Sequence, residues 1–448
     1  MQVIAGSSPR RRRRNSRRLP YIIVRNNGIS ITDARYGGSV TRATIALQFN
    51  HATSSYIQVA TGVDRAQHDV YGNDGQWHLN YRLAGEPQRT NSALGSCDPT
   101  GGSGYWTNAG TLGIAAASAS CIPGQTAYVI TNVSSTTAAL TQVIGTFGTA
   151  GTVRADGIIV EQGTGTKTML QVYDVTAGAL LGTVTLTWAG LVLATTGTVT
   201  AKAANVHGTG PNGGVMVKLW LTTTSVAASG STPGGAGNSF RLDFIPSGGV
   251  SDTATTIWHH IQDELGLFPS TPIVTGVGSG SRNAEIQGVP LPVAAQSAQA
   301  LCVYEKYVDQ GAAIYAASGA GNYRWALGFG GAPYWKGDIN GLGNTRHAYT
   351  NGTDAAIGTT AGGATSLGQT VETRDILFAD ASRQAGDATN GGAESLGSVS
   401  TAYAHGIITP WYSNVLYIGS GGIATGGLAL GTFILAAGTP SMNQFRGM

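Results

Sequence analysis

Charge is the scarcest property of this chain: Asp, Glu, Lys and Arg make up 11% of its 448 residues, against ~25% in an ordinary soluble domain. Gly, Ala, Ser and Thr are heavily used instead. A polar but uncharged surface of that kind suits an extracellular or virion structural protein better than a crowded cytosolic enzyme. Cysteine is nearly absent. The three that occur, Cys97, Cys121 and Cys302, are too few and too scattered for a disulfide framework or a zinc site. Cys97 and Cys121 could pair across strands, but free buried thiols in a protein assembled in a reducing cytoplasm are the expectation. There is no run of about eighteen apolar residues, so no membrane insertion is expected, and Met1 to Ile4 offers no apolar core of a signal peptide. Catalytic signatures are missing as well. The nearest approach to a nucleophile elbow, Gly276-Val277-Gly278-Ser279-Gly280, places its serine one position late and in a linker. Gly328, Gly330 and Gly331 lack the Lys and helix of a phosphate-binding loop. His259 and His260, adjacent on an expected strand, point to opposite faces and cannot share a metal ion. No cofactor is expected.

What is present is β-pattern and one dense basic run. The length and 42% hydrophobic content allow two to three domains with real cores. The net charge of +3 hides a nearly neutral, slightly acidic body, because Arg10, Arg11, Arg12, Arg13, Arg14, Arg17 and Arg18 lie within the first eighteen residues. Such a run cannot bury itself and stays extended until an acidic protein surface or phosphates neutralise it. No aromatic is interleaved to stack on bases, which favours a protein partner over a single-stranded nucleic acid. Leu19 to Val24 reads as a short strand ended by Asn26-Asn27-Gly28. Residues from Thr41 to Asn91 alternate little and turn often, as a wrapped connector would. Eight β-branched segments follow between Thr126 and Glu264, with no helical periodicity, and predict an antiparallel jelly-roll sandwich. Pro269 and Pro272 cannot donate to a ladder and end it. A second series, including Ala300 to Val308, Tyr323 to Phe329, Glu372 to Ala379, Val415 to Ile418 and Gly431 to Ala436, predicts a second sandwich. The expected fold is all-β, two antiparallel jelly-roll-type sandwiches preceded by an extended connector and a basic N-terminal arm. Its parts are the arm and anchoring strand (1–28), the connector (29–95), the first sandwich (96–275) and the second (276–448).

Four parts of the chain resemble one family. Gln262-Asp263-Glu264-Leu265-Gly266, then Phe268-Pro269-Ser270, Pro272 and Thr275, closing with Ser281-Arg282-Asn283-Ala284, resembles the hinge between sandwiches in tailed-phage tail-fibre and virion-surface proteins. Thr41-Arg42-Ala43-Thr44 and, further on, Glu86-Pro87-Gln88-Arg89-Thr90-Asn91 resemble the same family's connector, with Ala84-Gly85 in place of its aliphatic pair. Gln171-Val172-Tyr173-Asp174 with Gly178 resembles its hairpin, in which a strand ends in an Asp-x-x-x-Gly turn; Gly213 to Leu219 lacks that family's Trp-Tyr-Arg. Val415 to Gly419 and Gly431 to Leu435, with Glu372 to Asp380 and Asp387 to Gly391, resemble the end of concanavalin-like, laminin-G-like phage domains. The resemblance implies a carbohydrate-binding-module-like first sandwich, a concanavalin-like second one, and a homo-oligomer, with a trimer favoured. Other virion proteins (portal, capsid or tail) would be partners through the arm, and a host-surface polysaccharide through the body. It implies a place on the virion as tail fibre, spike or head-decoration subunit.

Glycan-cleaving concanavalin-like sandwiches set catalytic acids as Glu-x-Asp-x-x-Glu on one strand, and that triplet is absent. The nearest pairs, Glu305 with Asp309 and Glu372 with Asp375, read as solvated or salt-bridged groups, the second pair facing opposite ways on a strand. Binding without cleavage is therefore the expectation. Capsule depolymerase is the alternative, as is a minor capsid protein whose arm binds nucleic acid. Sugar rings need flat apolar platforms beside hydrogen-bonding groups. Tyr334, Trp335, Asp338 and Asn340, set between Pro333 and Gly341 on an expected loop, are the candidate glycan site, together with Tyr323 and Trp411. Trp325 and Trp411 could equally be core residues.

Overall fold

The computed structural model of the protein describes residues 89–100, 104–266, 269–282, 300–309, 369–378, 382–389, 391–399 and 428–447, and elsewhere mainly the strands named below. Its described elements are almost all strands in antiparallel sheets. The all-β expectation holds.

The first sandwich is two six-stranded sheets. One runs, in spatial order, Thr200–Thr209, Val215–Thr224, Val153–Gln162, Thr255–Leu265, Tyr128–Thr131, Gly113–Ala116. The other runs Val192–Gly197, Ala179–Thr187, Lys167–Asp174, Ser239–Ile245, Ala139–Thr146, Thr107–Ala109. All eight predicted strands are there; the additions are short or Gly-interrupted segments such as Gly113–Ala116. Lys167–Asp174 shows why the pattern was legible. Thr168, Leu170, Val172 and Asp174 are buried, while Lys167, Met169, Gln171 and Tyr173 between them are partly exposed, the period of two that a half-buried strand imposes. Between the sheets, Trp258 meets Trp106 and Phe244 edge-on at centroid distances of 5.0 and 5.3 Å. Burying such side chains contributes roughly 1.5–3 kcal/mol each.

The two outer faces of this sandwich differ. On the first sheet, the hairpin Ala46–Asn50/Ser55–Val59 and the segment around Cys97 and Cys121 bury Leu47, Tyr56, Ile122, Ile159 and Met216 in a second cluster. Tyr56 N donates to Cys121 O at 2.7 Å and ties that hairpin down. Cys97 and Cys121 are free and buried, as is Cys302. The second sheet keeps its outer face in solvent, with Val143, Leu180 and Val192 each about half exposed at 57, 49 and 58%.

The second sandwich is also two sheets. One is Ser395–Leu396, Arg383–Thr389, Thr370–Leu377, Leu301–Asp309, Leu428–Ala437, Trp77–Leu83, His68–Tyr71, with Ile22–Arg25 also on Leu428–Ala437. The other is Ser39–Thr41, Ile286–Pro290, Val415–Ile418, Asn322–Leu327, Tyr334–Ile339, Thr345–Thr350, Ala355–Thr359. Here the expectation of a separate connector is corrected. Ile22–Arg25, Ser39–Thr41, His68–Tyr71 and Trp77–Leu83 join the sheets of the C-terminal sandwich, so the chain builds that sandwich from both of its ends. Among the described residues of that stretch, the hairpin from Ala46 to Val59 and the segment from Arg89 onward serve elsewhere. Pairing between segments hundreds of residues apart leaves no local periodicity to read. The Arg10 to Arg18 run lies outside the described residues.

Candidate functional site

Two stretches that the sequence singled out separately, the end of the connector and the hinge, meet at one junction. Arg89–Asn91 pairs with Gly280–Arg282 and lies against the end of Thr255–Leu265. That strand is paired by Tyr128–Thr131 only as far as Trp258. Beyond it, Ser96 O accepts from Ile261 N at 2.9 Å, Ser92 N donates to Asp263 O at 2.9 Å, and the Asn91 amide fills the gap. Asn91 Oδ1 accepts from Asp263 N and Ala93 N, both at 3.0 Å, while Nδ2 donates to Ile261 O at 3.2 Å and Ile273 O at 2.8 Å. Gln262 Oε1 accepts from Ile273 N at 2.9 Å, and Glu264 takes both the backbone N–H and the hydroxyl of Ser270. Lys218, where the resemblance leads one to expect an aromatic-rich strand, donates to Pro269 O and Ser270 O at 2.9 and 2.6 Å. Gly157 is required under this strap, because a Cβ there would stand 2.6 Å from Pro269 Cγ. The motif is thus a clasp whose polar groups satisfy one another in a buried place. Arg154 forms an ion pair with Asp263 inside it. Asp156, directly opposite Asp263 in the ladder, is pushed well above the usual carboxylate range by burial and then by the Asp263 charge.

The C-terminal residues proposed for glycan stacking are placed otherwise. Tyr334–Ile339 is a strand, not a loop. Trp335 has 0% exposure and packs edge-on against Trp325, centroids 4.6 Å apart; it is a core residue. Tyr334 is half-buried. Tyr323 and Asp338 are opposite one another in the register of their strands, and their side chains lie outside the described residues, as do Asn340 and Trp411 altogether. Pro333 and Gly337 suggested a loop because glycine weakens strands. The structure explains Gly337 differently: a Cβ there would stand 2.5 Å from Trp325 Nε1 and 2.7 Å from an Arg324 nitrogen.

Glu305, Glu372 and Asp375 are engaged in ion pairs, and the Asp309 side chain lies outside the described residues. Arg324 reaches from one sheet of the second sandwich to the other, pairing with Glu305 and, at 2.9 Å, with Asp375, all three buried. Burial pushes Glu305 up to about 7 despite that guanidinium. Glu372 instead faces Arg446, with Nε at 2.5 Å, on the opposite side of its strand from Asp375. In the first sandwich, Glu161 accepts from Asn212 N and Gly214 N at 2.9 and 2.8 Å and lies 3.1 Å from His259 Nε2. His259 Nδ1 accepts from Cys121 N at 3.1 Å, and His260 Nε2 lies 3.2 Å from Ile273 O, so the two imidazoles do separate structural work. Among the described residues no group of three or more His, Cys, Asp or Glu could hold a metal ion.

The open sheet offers what the sequence reading missed. In one row across four strands stand Leu180, Tyr173, Arg241 and Val143, spanning ~14 Å at a strand spacing of about 4.8 Å. The next row holds Thr196, Thr183, Gln171, Asp243 and Thr141. Arg241 lies 4.7 Å from the Tyr173 ring centroid and donates to Asp243 through Nε at 2.5 Å and NH2 at 2.9 Å. Gln171 Nε2 donates to the same carboxylate at 2.7 Å. Asp243 is 2% exposed beneath these partners and holds the Arg241 guanidinium in its charged form. A partly apolar stripe centred on an aromatic, beside a row of hydroxyl and amide groups with balanced charge, matches the amphipathic edge of a neutral sugar chain. The signal was available: Gln171-Val172-Tyr173 and Arg241-Leu242-Asp243 both put polar groups on the outward parity of adjacent strands.

No family model matches the chain, and no curated protein does. Solved structures similar to it include the CBM40 of the Ruminococcus gnavus IT-sialidase bound to α2,3-sialyllactose, at 12% identity over 34% of this chain and 82% of that one, TM-score 0.26. Another is the N-terminal CBM22-1–CBM22-2 tandem domain of Paenibacillus barcinonensis Xyn10C, at 10% identity over 81% of this chain and 94% of that one, TM-score 0.26. A third is the tail fiber protein gp63.1 of an E. coli phage, at 11% identity over 75% of this chain and 40% of that one, TM-score 0.18. Likenesses this weak carry no argument, and the functional reading rests on the residues.

Proposed function

We propose that the chain is a tailed-phage virion-surface protein, a fibre, spike or decoration subunit, that recognises host-surface glycan on the open sheet of its first sandwich without cleaving it. The observation that carries the recognition is the asymmetry of that sandwich. One outer face is closed by the hairpin, the Cys97–Cys121 segment and the Pro269 strap, whereas the other presents Tyr173, Arg241 and Gln171 to solvent over the buried Asp243 carboxylate. The virion assignment is supported by the resemblance of the clasp residues to the phage hinge and by the low charge. The arginine-rich arm docks on an acidic surface of another virion protein, and copies assemble about a symmetry axis, as a trimer. Purified full chain is to be tested on immobilised host polysaccharide, with Tyr173→Ala as the perturbation. Loss of binding at unchanged thermal stability supports the assignment; unchanged binding removes the open sheet from it.

A further inference from the structure

The sheet whose outer face is open also has an unprotected edge. It ends on Val192–Gly197, which is paired with Ala179–Thr187 on one side only. The strand is exposed at every position except the partly buried Leu193, with Val192 at 58%. An edge strand presents a row of N–H and C=O groups that templates pairing with another chain, and proteins ordinarily blunt it with charge, proline or a bulge. Val192-Leu193-Ala194-Thr195-Thr196-Gly197 has no charge and no proline, and its register with Ala179–Thr187 is unbroken. The neighbouring edge strand of the other sheet, Thr200–Thr209, which touches it, has Lys202 and two register shifts.

One hydrogen bond fixes which groups of this strand point outward. Thr198 N donates to Leu181 O at 2.8 Å, just past the last pair, Gly182 with Gly197. Bonded and non-bonded pairs alternate along an antiparallel ladder. Thr196, Ala194 and Val192 therefore exchange their backbone bonds with Thr183, Thr185 and Thr187. The N–H and C=O of Leu193 and Thr195 point away from the sheet, and among the described residues no backbone group meets them. Their spacing suits a second copy turned by half a rotation about an axis through Ala194. Leu193 of each chain then faces Thr195 of the other, which completes the outward backbone bonds of both. Ala194 meets its own copy in a non-bonded pair, where Cα atoms approach to about 4.5 Å and a small side chain fits. Val192 comes beside Thr196, which covers the exposed valine.

We infer that Val192–Gly197 is a docking edge for a second copy of this chain, the two strands running antiparallel about a two-fold axis at Ala194 so that two six-stranded sheets become one. An axis perpendicular to the sheet leaves both open faces pointing the same way, with their Tyr173 rows side by side. A polysaccharide long enough to reach both rows engages two chains, and its second contact is then intramolecular. The contact is small and acts where copies are crowded together. A two-fold contact does not close a three-fold assembly; it joins chains of neighbouring ones.

The test is disulfide trapping in the full chain. Ala194→Cys sets two thiols across the axis at a Cα separation that a disulfide accepts, while the native Cys97, Cys121 and Cys302 are buried and do not compete. Oxidised glutathione is the oxidant: it takes up the two electrons of the joined thiols and leaves as two reduced glutathiones. Denaturing electrophoresis without reductant reads the linked pair of chains. The controls are Val133→Cys, at a position 55% exposed on the other sheet's side, and Ala194→Cys combined with Thr195→Pro. Ala194→Cys is expected to link at least about ten-fold faster than Val133→Cys, because only the paired edge holds the sulfurs in bonding geometry. Thr195→Pro removes an outward N–H and none from the protein's own ladder, so it should bring linking down to the Val133→Cys rate without lowering the melting temperature. Linking of Ala194→Cys no faster than Val133→Cys, or untouched by Thr195→Pro, overturns the inference. So does a Thr195→Pro chain that melts well below wild type, since that N–H then belongs to the protein's own ladder. Polysaccharide binding is measured alongside: absence of trapping with binding retained refutes the docking edge and leaves the glycan reading standing.

Discussion

Replacing Asn91 by alanine tests the clasp most sharply. The side chain is fully buried and makes four hydrogen bonds, two accepted and two donated, at 2.8 to 3.2 Å. Truncation leaves the N–H groups of Ala93 and Asp263 and the carbonyls of Ile261 and Ile273 to find new partners in a dry site. Each buried group left unpaired costs about 1–3 kcal/mol. The Ile261 carbonyl has a second lone pair and the cavity can admit one water, so the sum is not fully realised; about 3 kcal/mol is expected. For a sandwich of this size that lowers the melting temperature by roughly 6–12 °C. Asn91→Asp keeps the shape but turns a carboxylate oxygen toward two carbonyls, and should be at least as damaging. The control is Thr90→Ala, next in sequence, whose hydroxyl meets Ser281 Oγ at 2.9 Å in an exposed place and should cost under about 0.5 kcal/mol. Calorimetry of the three variants decides. An Asn91→Ala shift no larger than that of Thr90→Ala would refute the view that the motif is a buried clasp.

Three further outcomes are expected. Burial holds His260 down to about 3 and pushes Glu305 up to about 7. The histidine's contribution is present above its unfolded value near 6.5 and is lost as pH falls through that range toward 3. The glutamate's contribution is present below its unfolded value near 4.5 and is lost as pH rises through 7; the two are on the order of 5 and 3 kcal/mol respectively. In denaturant titrations Glu305→Gln should flatten the decline from about pH 5 to pH 8, and an unaltered slope would count against it. Trp335→Ala should destabilise by about 3–5 kcal/mol and leave polysaccharide binding intact, the reverse of the behaviour expected from a stacking platform. A chain starting at Leu19 should melt like the full chain yet fail to incorporate into particles; normal incorporation would remove the arm from attachment.

The fold was legible where chemistry is local. A strand such as Lys167–Asp174 announces itself because one face meets a core and the other water, and proline ends the series at Pro269. Pairing of Ile22–Arg25 with Leu428–Ala437 was not legible, since four residues carry no record of a partner some four hundred positions away. The clasp was visible as residues and not as a mechanism: nothing in Arg89-Thr90-Asn91 says that Asn91 completes the ladder of Thr255–Leu265. Trp335 reads as an exposed platform in the sequence, although it is a core residue, for a definable reason. Aromatics near Pro and Gly suggest an exposed platform, whereas Gly337 is small because Trp325 and Arg324 occupy the space its side chain would need. Tyr173 drew attention only as part of a hairpin, because one aromatic on a strand looks like any other until its sheet is known to lack a cover.

The central claim is that the open sheet of the first sandwich holds host glycan and leaves it whole. The direct measurement is equilibrium binding of the full chain and of Tyr173→Ala to isolated host-surface polysaccharide, with the polysaccharide's chain length determined before and after. The account predicts that Tyr173→Ala binds ~5–30-fold more weakly, as losing about 1–2 kcal/mol implies, melts within about 2 °C of wild type, and that chain length does not change. Undiminished binding by Tyr173→Ala, or release of shortened oligosaccharides by the wild type, would contradict it.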